Sequence, residues 1–226
     1  STVPIEQLAS KSYADQRRQL INSNKAMKSV PYGQILEGSD TVYISCIDSE
    51  GNACSFINSV FTNFGSGLVV PGTGIVLHNR ASLFSLEPDH PNSLTGGKRP
   101  YHTIIPAMAT QNGDLTLCYG VMGGFMQPQG HLQMINNIVD LNMNPQEAID
   151  ALRFQVVGEA VVLEEGVDQS VVKELQGMGH TVNLMAGPQR GGSGGMGGAQ
   201  IISRDPDTGV LWGGSESRKD GCAVGW

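Results

Sequence analysis

Two hydroxyl side chains, Thr41 and Ser59, stand eighteen residues apart on either side of the turn-forming run Asp48-Ser49-Glu50-Gly51-Asn52. A hairpin closed at that run returns Ser59 beside Thr41, near one end of the paired strands. A threonine hydroxyl is a poor nucleophile until a base takes its proton. A threonine at a chain N-terminus carries that base itself, a free α-amine with a reference pKa near ~8. Here the amine of Thr41 is locked in a peptide bond to Asp40, so it becomes available only if that bond is cut. By itself the local sequence favours a β-branched residue that opens a strand at 41, and it also allows an outward-facing strand serine at 59.

Gly123-Gly124 follows a strand-like segment and offers a second element of acyl chemistry. Negative charge that builds on a carbonyl oxygen can be met by backbone N–H groups where no side chain blocks approach. A plain turn is the alternative. His102 and Thr103 can both hydrogen-bond an anion, and Arg80 suits a carboxylate, or else is a solvated surface charge. His78, His90, His131 and His180 join no constellation and read as structural. Cys46, Cys54, Cys118 and Cys222 form no Cys-x-x-Cys pair and no His-Glu-x-x-His is present, so no metal site is expected. The first three cysteines fall in strand-like runs and read as small buried thiols rather than disulfides.

These groups must be positioned by elements the sequence marks. The 226 residues suffice for a sizeable core, and thirty glycines point to tight turns between short strands. Fourteen basic against 21 acidic residues give a formal charge of −7, which argues against nucleic acid or an anionic membrane surface, because either needs a basic stripe. No apolar run approaches the roughly 20 residues of a membrane span.

Residues 10–21 read as a helix with Ser10 at its N-cap, followed by a polar connector through Pro31 and Gly33. Strands are expected over 42–47, 53–60, 74–78, 103–110 and 115–119. Leu132, Ile135, Ile138 and Val139 mark a helical face, Asn144-Pro145-Gln146-Glu147 starts a second helix, and Val171, Val172 and Leu175 mark a third. Further strands are expected over 160–163, 181–184, 199–203 and 210–212. Strands, then helices, then strands imply an α+β fold with an antiparallel core. The glycine-rich run 191–198 lacks Gly-Lys-Ser/Thr, so it is no phosphate loop and reads as a mobile loop beside a cleft.

The blocks Thr41 to Asn52, Phe64-Gly65-Ser66-Gly67, Pro71-Gly72-Thr73-Gly74-Ile75, Lys98-Arg99-Pro100, Gly120-Val121-Met122-Gly123-Gly124 and Gly213 to Trp226, in that order, resemble the gamma-glutamyltransferase family of N-terminal-nucleophile hydrolases. The run 122–131, Met-Gly-Gly-x-Met-Gln-Pro-Gln-Gly-His, resembles its amidohydrolase-type branch more than the glutathione-cleaving one. The resemblance implies a four-layer αββα sandwich. It implies Thr41 as a nucleophile exposed by self-cleavage, Ser59 as its supporting hydroxyl and Gly123-Gly124 as the oxyanion hole. It also implies that residues 1–40 match the end of a large subunit and 41–226 a catalytic small subunit, with the large subunit as partner, a small-molecule amide as substrate and no cofactor. The family's start would lie well upstream of Ser1. No signal peptide is evident, and the compartment stays open, with the cytoplasm favoured over the periplasm.

Five positions depart from the glutathione-cleaving pattern. His102-Thr103 stand where those enzymes carry two serines for the substrate carboxylate. Arg80 and Ser82 stand where they carry a glutamine and the aspartate that holds the substrate α-amine. Phe61 replaces an asparagine. An anion has given way to a hydroxyl and a cation has been gained, which argues against strict γ-glutamyl specificity. The candidate substrates are a γ-glutamyl amide, a cephalosporin side chain, or a small acidic amide such as oxamate. A non-catalytic homologue that keeps the chain whole through Asp40-Thr41 is the rival of a different class.

Overall fold

The structure, a computed structural model, describes residues 5–27, 40–185 and 195–226. The expected connector through Pro31 and Gly33, and the start of the glycine-rich run, lie outside the described residues.

Two short helices come first, α1 (Ile5–Leu8) and α2 (Lys11–Arg18). The Ser10 hydroxyl accepts from the Tyr13 N–H as the N-cap of α2. Strands β1 (Asp40–Ile47) and β2 (Ala53–Phe61) form an antiparallel hairpin. Its turn is set by Asp48, whose carboxylate accepts from the backbone N–H groups of Glu50 and Asn52. A four-stranded sheet follows in the order β3 (Ala107–Gln111), β4 (Asp114–Met122), β8 (Gly198–Arg204), β9 (Leu211–Ser215), antiparallel throughout. A third sheet runs β5 (Phe154–Val157), β6 (Ala160–Glu164), β7 (Thr181–Met185), with β6 and β7 parallel across helix α5 (Gln169–Gly177).

The hairpin lies face to face with the four-stranded sheet. Tyr43 points inward, and its ring fills the place where a Cβ on Gly120 would stand, 2.4 Å away. The buried Cys118 thiol donates to the Cys54 carbonyl at 3.4 Å. Helices α3 (Met126–Val139) and α4 (Pro145–Asp150) cover the other face of that sheet. There Leu117, Val121, Met134, Ile149, Ala199 and Ile201 make the core. The outer face of the hairpin carries Val42, Ile44 and Phe56, all about half exposed.

Glutamine side chains finish an edge. Gln129 and Gln133, four apart on α3, each accept from and donate to the backbone of one β5 residue, Val156 and Phe154 respectively. Four helical residues rise about 6 Å and two strand residues about 6.7 Å, so the two amides match the strand's repeat and cover its free edge.

Several expectations are corrected. Residues 74–78 form no strand, only a single bridge from Val69 to Val76, because paired glycines turn the chain there. The strand expected over 103–110 starts at Ala107, and β5 was not anticipated. Cys46 and Cys54 face each other on the exposed side of the hairpin, so only Cys118 is a buried thiol; all four are free. Within the glycine-rich run, Met196, Gly197 and Gly198 are buried rather than in a mobile loop.

Candidate functional site

The hairpin register is set by its turn, and counting back from Asp48 and Asn52 places Thr41 opposite Ser59. The Thr41 hydroxyl donates to Ser59 Oγ at 3.0 Å, and Thr41 is 7% exposed. Ser59 Oγ also accepts from the Phe61 N–H at 2.9 Å. The ladder slips by one residue between Asp40 and Thr41, so the strand is irregular at the peptide bond that self-cleavage would break.

Phe61 sits at φ +81°, a conformation rarely taken by a residue with a side chain, and is fully buried. The Ser59 hydroxyl holds its N–H, and the Arg80 guanidinium lies over its ring, 5.2 Å from the centroid. Arg80 opens a 3₁₀ turn (Arg80–Leu83) that Asn79 ties to the end of β2: the Asn79 N–H donates to the Val60 carbonyl, and its side chain accepts from the Thr62 N–H. Arg80 is 6% exposed, so the solvated-charge alternative is wrong. Its Nη1 reaches Thr103 Oγ1 at 3.5 Å, while Nη2 is buried with no hydrogen-bond partner among the described residues. Burial pushes the guanidinium below the usual arginine range. A buried cation with a free donor is prepared for an anion.

Thr103 is buried beside Arg80. Its segment lies along the glycine turn: Tyr101 stacks on Phe125 with centroids 6.1 Å apart, and the Ile105 N–H donates to Gln127 Oε1 at 3.1 Å. Gln127 lies on the first turn of α3, and its N–H donates to the Gly124 carbonyl at 3.1 Å. The sequence assigned no role to Gln127, although the run 122–131 contains it. Gly123 and Gly124 take φ +130° and +58°, which only glycine adopts freely. Along β1 and β4, Cys118 meets the Cys54 backbone and Gly120 meets Tyr43.

The structure thus draws Thr41, Ser59, Phe61, Arg80, Thr103 and the glycine turn into one chain of contacts. Ser82 and His102 stand apart from it. Ser82 is exposed, its hydroxyl donating to the Asn79 carbonyl within its own turn, and His102 is exposed. His131 lies inside α3, with Nδ1 2.6 Å from the Gln127 carbonyl, and burial pushes it below the usual histidine range. Among the described residues no group of His, Cys, Asp and Glu could hold a metal ion, and no helix is long and apolar enough to cross a membrane.

The family model described as Gamma-glutamyltranspeptidase matches residues 1–226. The glutathione hydrolase-like YwrD proenzyme of Bacillus subtilis (strain 168) is 37% identical over 99% of this chain and 42% of its own length. The oxamate amidohydrolase proenzyme of Klebsiella pneumoniae is 35% identical over 87% of this chain and 37% of its own. A crystal structure of cephalosporin acylase from Bacillus halodurans superposes with a TM-score of 0.89 at 45% identity, covering 100% of this chain and 40% of that one. The chain therefore spans about two fifths of the length of these relatives.

Proposed function

The chain belongs to the gamma-glutamyltranspeptidase family, with its α+β N-terminal-nucleophile hydrolase fold, and from that premise we propose an amide hydrolase or acyltransferase that works through an acyl ester on Thr41. The observation that carries this reading is the 3.0 Å hydrogen bond from Thr41 to Ser59 at the slipped start of β1.

In self-cleavage, Thr41 Oγ1 attacks the Asp40 carbonyl carbon and passes its proton to Ser59 Oγ, which releases its own proton toward the departing nitrogen. The C–N bond breaks, and the nitrogen takes a proton and becomes the free α-amine. The resulting ester is hydrolysed by water, leaving an Asp40 carboxylate and a chain that begins at Thr41. The α-amine then serves as the base for turnover. Thr41 Oγ1 attacks the substrate amide, Gly123 and Gly124 N–H groups meet the oxyanion, and the amine leaves protonated. Water or an acceptor amine resolves the ester.

The substrate we favour is a small acidic amide, of the glutaryl, cephalosporin side-chain or oxamate type. Buried Arg80, with Nη2 free and Thr103 beside it, suits a carboxylate. A zwitterionic γ-glutamyl head would bring its ammonium into this cation-lined site with Ser82 turned away. We also propose that residues 1–40 end a large subunit of the same precursor and that 41–226 form the small one. The relatives are named proenzymes and are more than twice this chain's length, and Val42, Ile44, Phe56, Phe64 and Leu68 leave apolar surface for a partner to cover.

Intact mass of the whole purified protein tests the reading. Wild type should yield a piece starting at Thr41, Thr41→Ser should cleave slowly, and Thr41→Ala should stay whole and inactive on amides. Cleavage and normal turnover in Thr41→Ala would remove the nucleophile. A wild-type chain that never cleaves under any condition would favour the non-catalytic rival.

A further inference from the structure

Behind the glycine turn lies a cluster of four buried charges drawn from three parts of the chain. Arg153 and Glu216 are both 1% exposed and paired at 2.7 Å. Arg218 binds Glu216 through Nη1 at 2.8 Å and grips Glu164 with Nε at 2.6 Å and Nη2 at 2.8 Å. Two cations and two anions balance. The guanidiniums also take up carbonyls left open at the end of α4: Arg153 Nη2 and Arg218 Nη1 both donate to Ile149, and Arg218 Nη2 donates to Ala151.

The cluster costs desolvation, and a hydrophobic replacement of similar volume is often neutral or stabilising, so stability alone does not account for it. What it holds is specific. Arg153 Nη1 donates to the Met196 carbonyl at 3.0 Å, and Glu216 Oε2 accepts from the Ala199 N–H at 2.7 Å. These two bonds bracket Gly197 and Gly198. Gly198 pairs with Met122 in the sheet. A Cβ on Gly123 would lie 2.8 Å from the Gly197 Cα, and one on Gly197 would lie 2.6 Å from the Met122 carbonyl oxygen. The backbone of 197–198 is thus pressed against the turn that carries the oxyanion donors, with no side chain between them.

We propose that Arg153 and Glu216, braced by Arg218 and Glu164, are positioning residues that set the Gly123-Gly124 N–H groups by clamping segment 196–199 against the turn. This rests on the reading of that turn as the oxyanion site. Neither residue touches the acyl group; each acts on the reaction through two layers of backbone. An ångström of displacement at such donors costs about a hundredfold in rate.

The experiment uses the whole protein, with rates expressed per Thr41 N-terminus. The double variant Arg153→Met/Glu216→Leu removes one cation and one anion together and leaves the Arg218–Glu164 pair. Glu216→Gln, nearly isosteric, serves if the double variant does not fold. Either should lower kcat at least tenfold with KM within twofold, because Arg80 and Thr103 are untouched. Combined with Gly124→Ala, the clamp variant should add little, since the donors are already displaced. Arg153→Lys, which keeps one donor and the charge, should recover part of kcat. A purely structural cluster would lower the melting temperature and leave kcat of the folded enzyme at the wild-type value, and that result overturns the inference. Full additivity with Gly124→Ala overturns it too. If Gly124→Ala alone leaves kcat unchanged, the oxyanion assignment falls and this inference falls with it. If Gly124→Ala is slow but the clamp variants are not, only the inference falls.

Discussion

Removing the Ser59 hydroxyl should damage self-cleavage more than turnover. In Ser59→Ala, two donors lose one acceptor: the Thr41 hydroxyl at 3.0 Å and the Phe61 N–H at 2.9 Å. The buried Phe61 N–H, left without that acceptor, costs about 1–3 kcal/mol. Phe61 also holds φ +81° partly through that bond, and a non-glycine residue pays about 1–2 kcal/mol for such a conformation. A loss of about 2 kcal/mol lowers the melting temperature of a domain this size by roughly 4–8 °C. The kinetic effect separates the two stages. Before cleavage the Thr41 nitrogen is acylated and cannot be a base, so the hydroxyl hands its proton to Ser59, to which it donates. Afterwards the free amine takes over. A serine hydroxyl is too weak a base to keep that proton, so Ser59 acts as a relay, and a positioned proton transfer is worth about 10²–10⁴-fold. Cleavage of Ser59→Ala should therefore slow by at least a hundredfold, with kcat of the cleaved fraction falling less. Ser59→Thr keeps the hydroxyl on a strand position and should stay near wild type. The assay is a time course of intact mass after synthesis, with kcat measured on the separated mature fraction. Equal cleavage rates in wild type and Ser59→Ala, with Phe61 still buried, would refute the argument.

Arg80→Gln should raise KM for a glutaryl or oxamate-type amide at least tenfold and narrow its kcat/KM advantage over the matching γ-glutamyl amide; a wild-type preference for the γ-glutamyl donor would sink the specificity reading. His131 gives a pH signature. Burial favours its neutral form in the fold, while the unfolded chain protonates near ~6.5. The unfolded state then binds more protons below that pH, so stability should fall as pH drops through about 6.5 and level off below the depressed folded value. Melting temperatures from pH 8 to pH 5 should show this decline, and His131→Asn should flatten it. Glu216 is pulled the other way: burial raises its pKa, but Arg153 and Arg218 outweigh that and hold it below the usual carboxylate range. Its contribution is intact above the ordinary value and is lost only in stronger acid, outside the histidine window.

The pairing of Thr41 with Ser59 was legible in the sequence because it is local. One turn, Asp48 to Asn52, fixes the register, and counting does the rest. Helices α3, α4 and α5 were legible for the same reason, since caps and apolar spacing act within a few residues. Which face of the hairpin meets the second sheet was not. Alternation separates Tyr43 from Cys46, but nothing local says which of them Gly120 will receive, so Cys46 and Cys54 were misread as buried. The state of Arg80 was also a tertiary decision. The sequence offers a charge before a 3₁₀ turn, and only the approach of Phe61, at a φ that no pattern announces, and of Thr103 buries it. The Arg153–Glu216 pair spans 63 residues, and its arginines and glutamates look like any surface charges until four distant segments close around them. Local rules place neighbours along the chain. Burial depends on what the rest of the chain brings to cover a residue, and that is settled only when the layers pack.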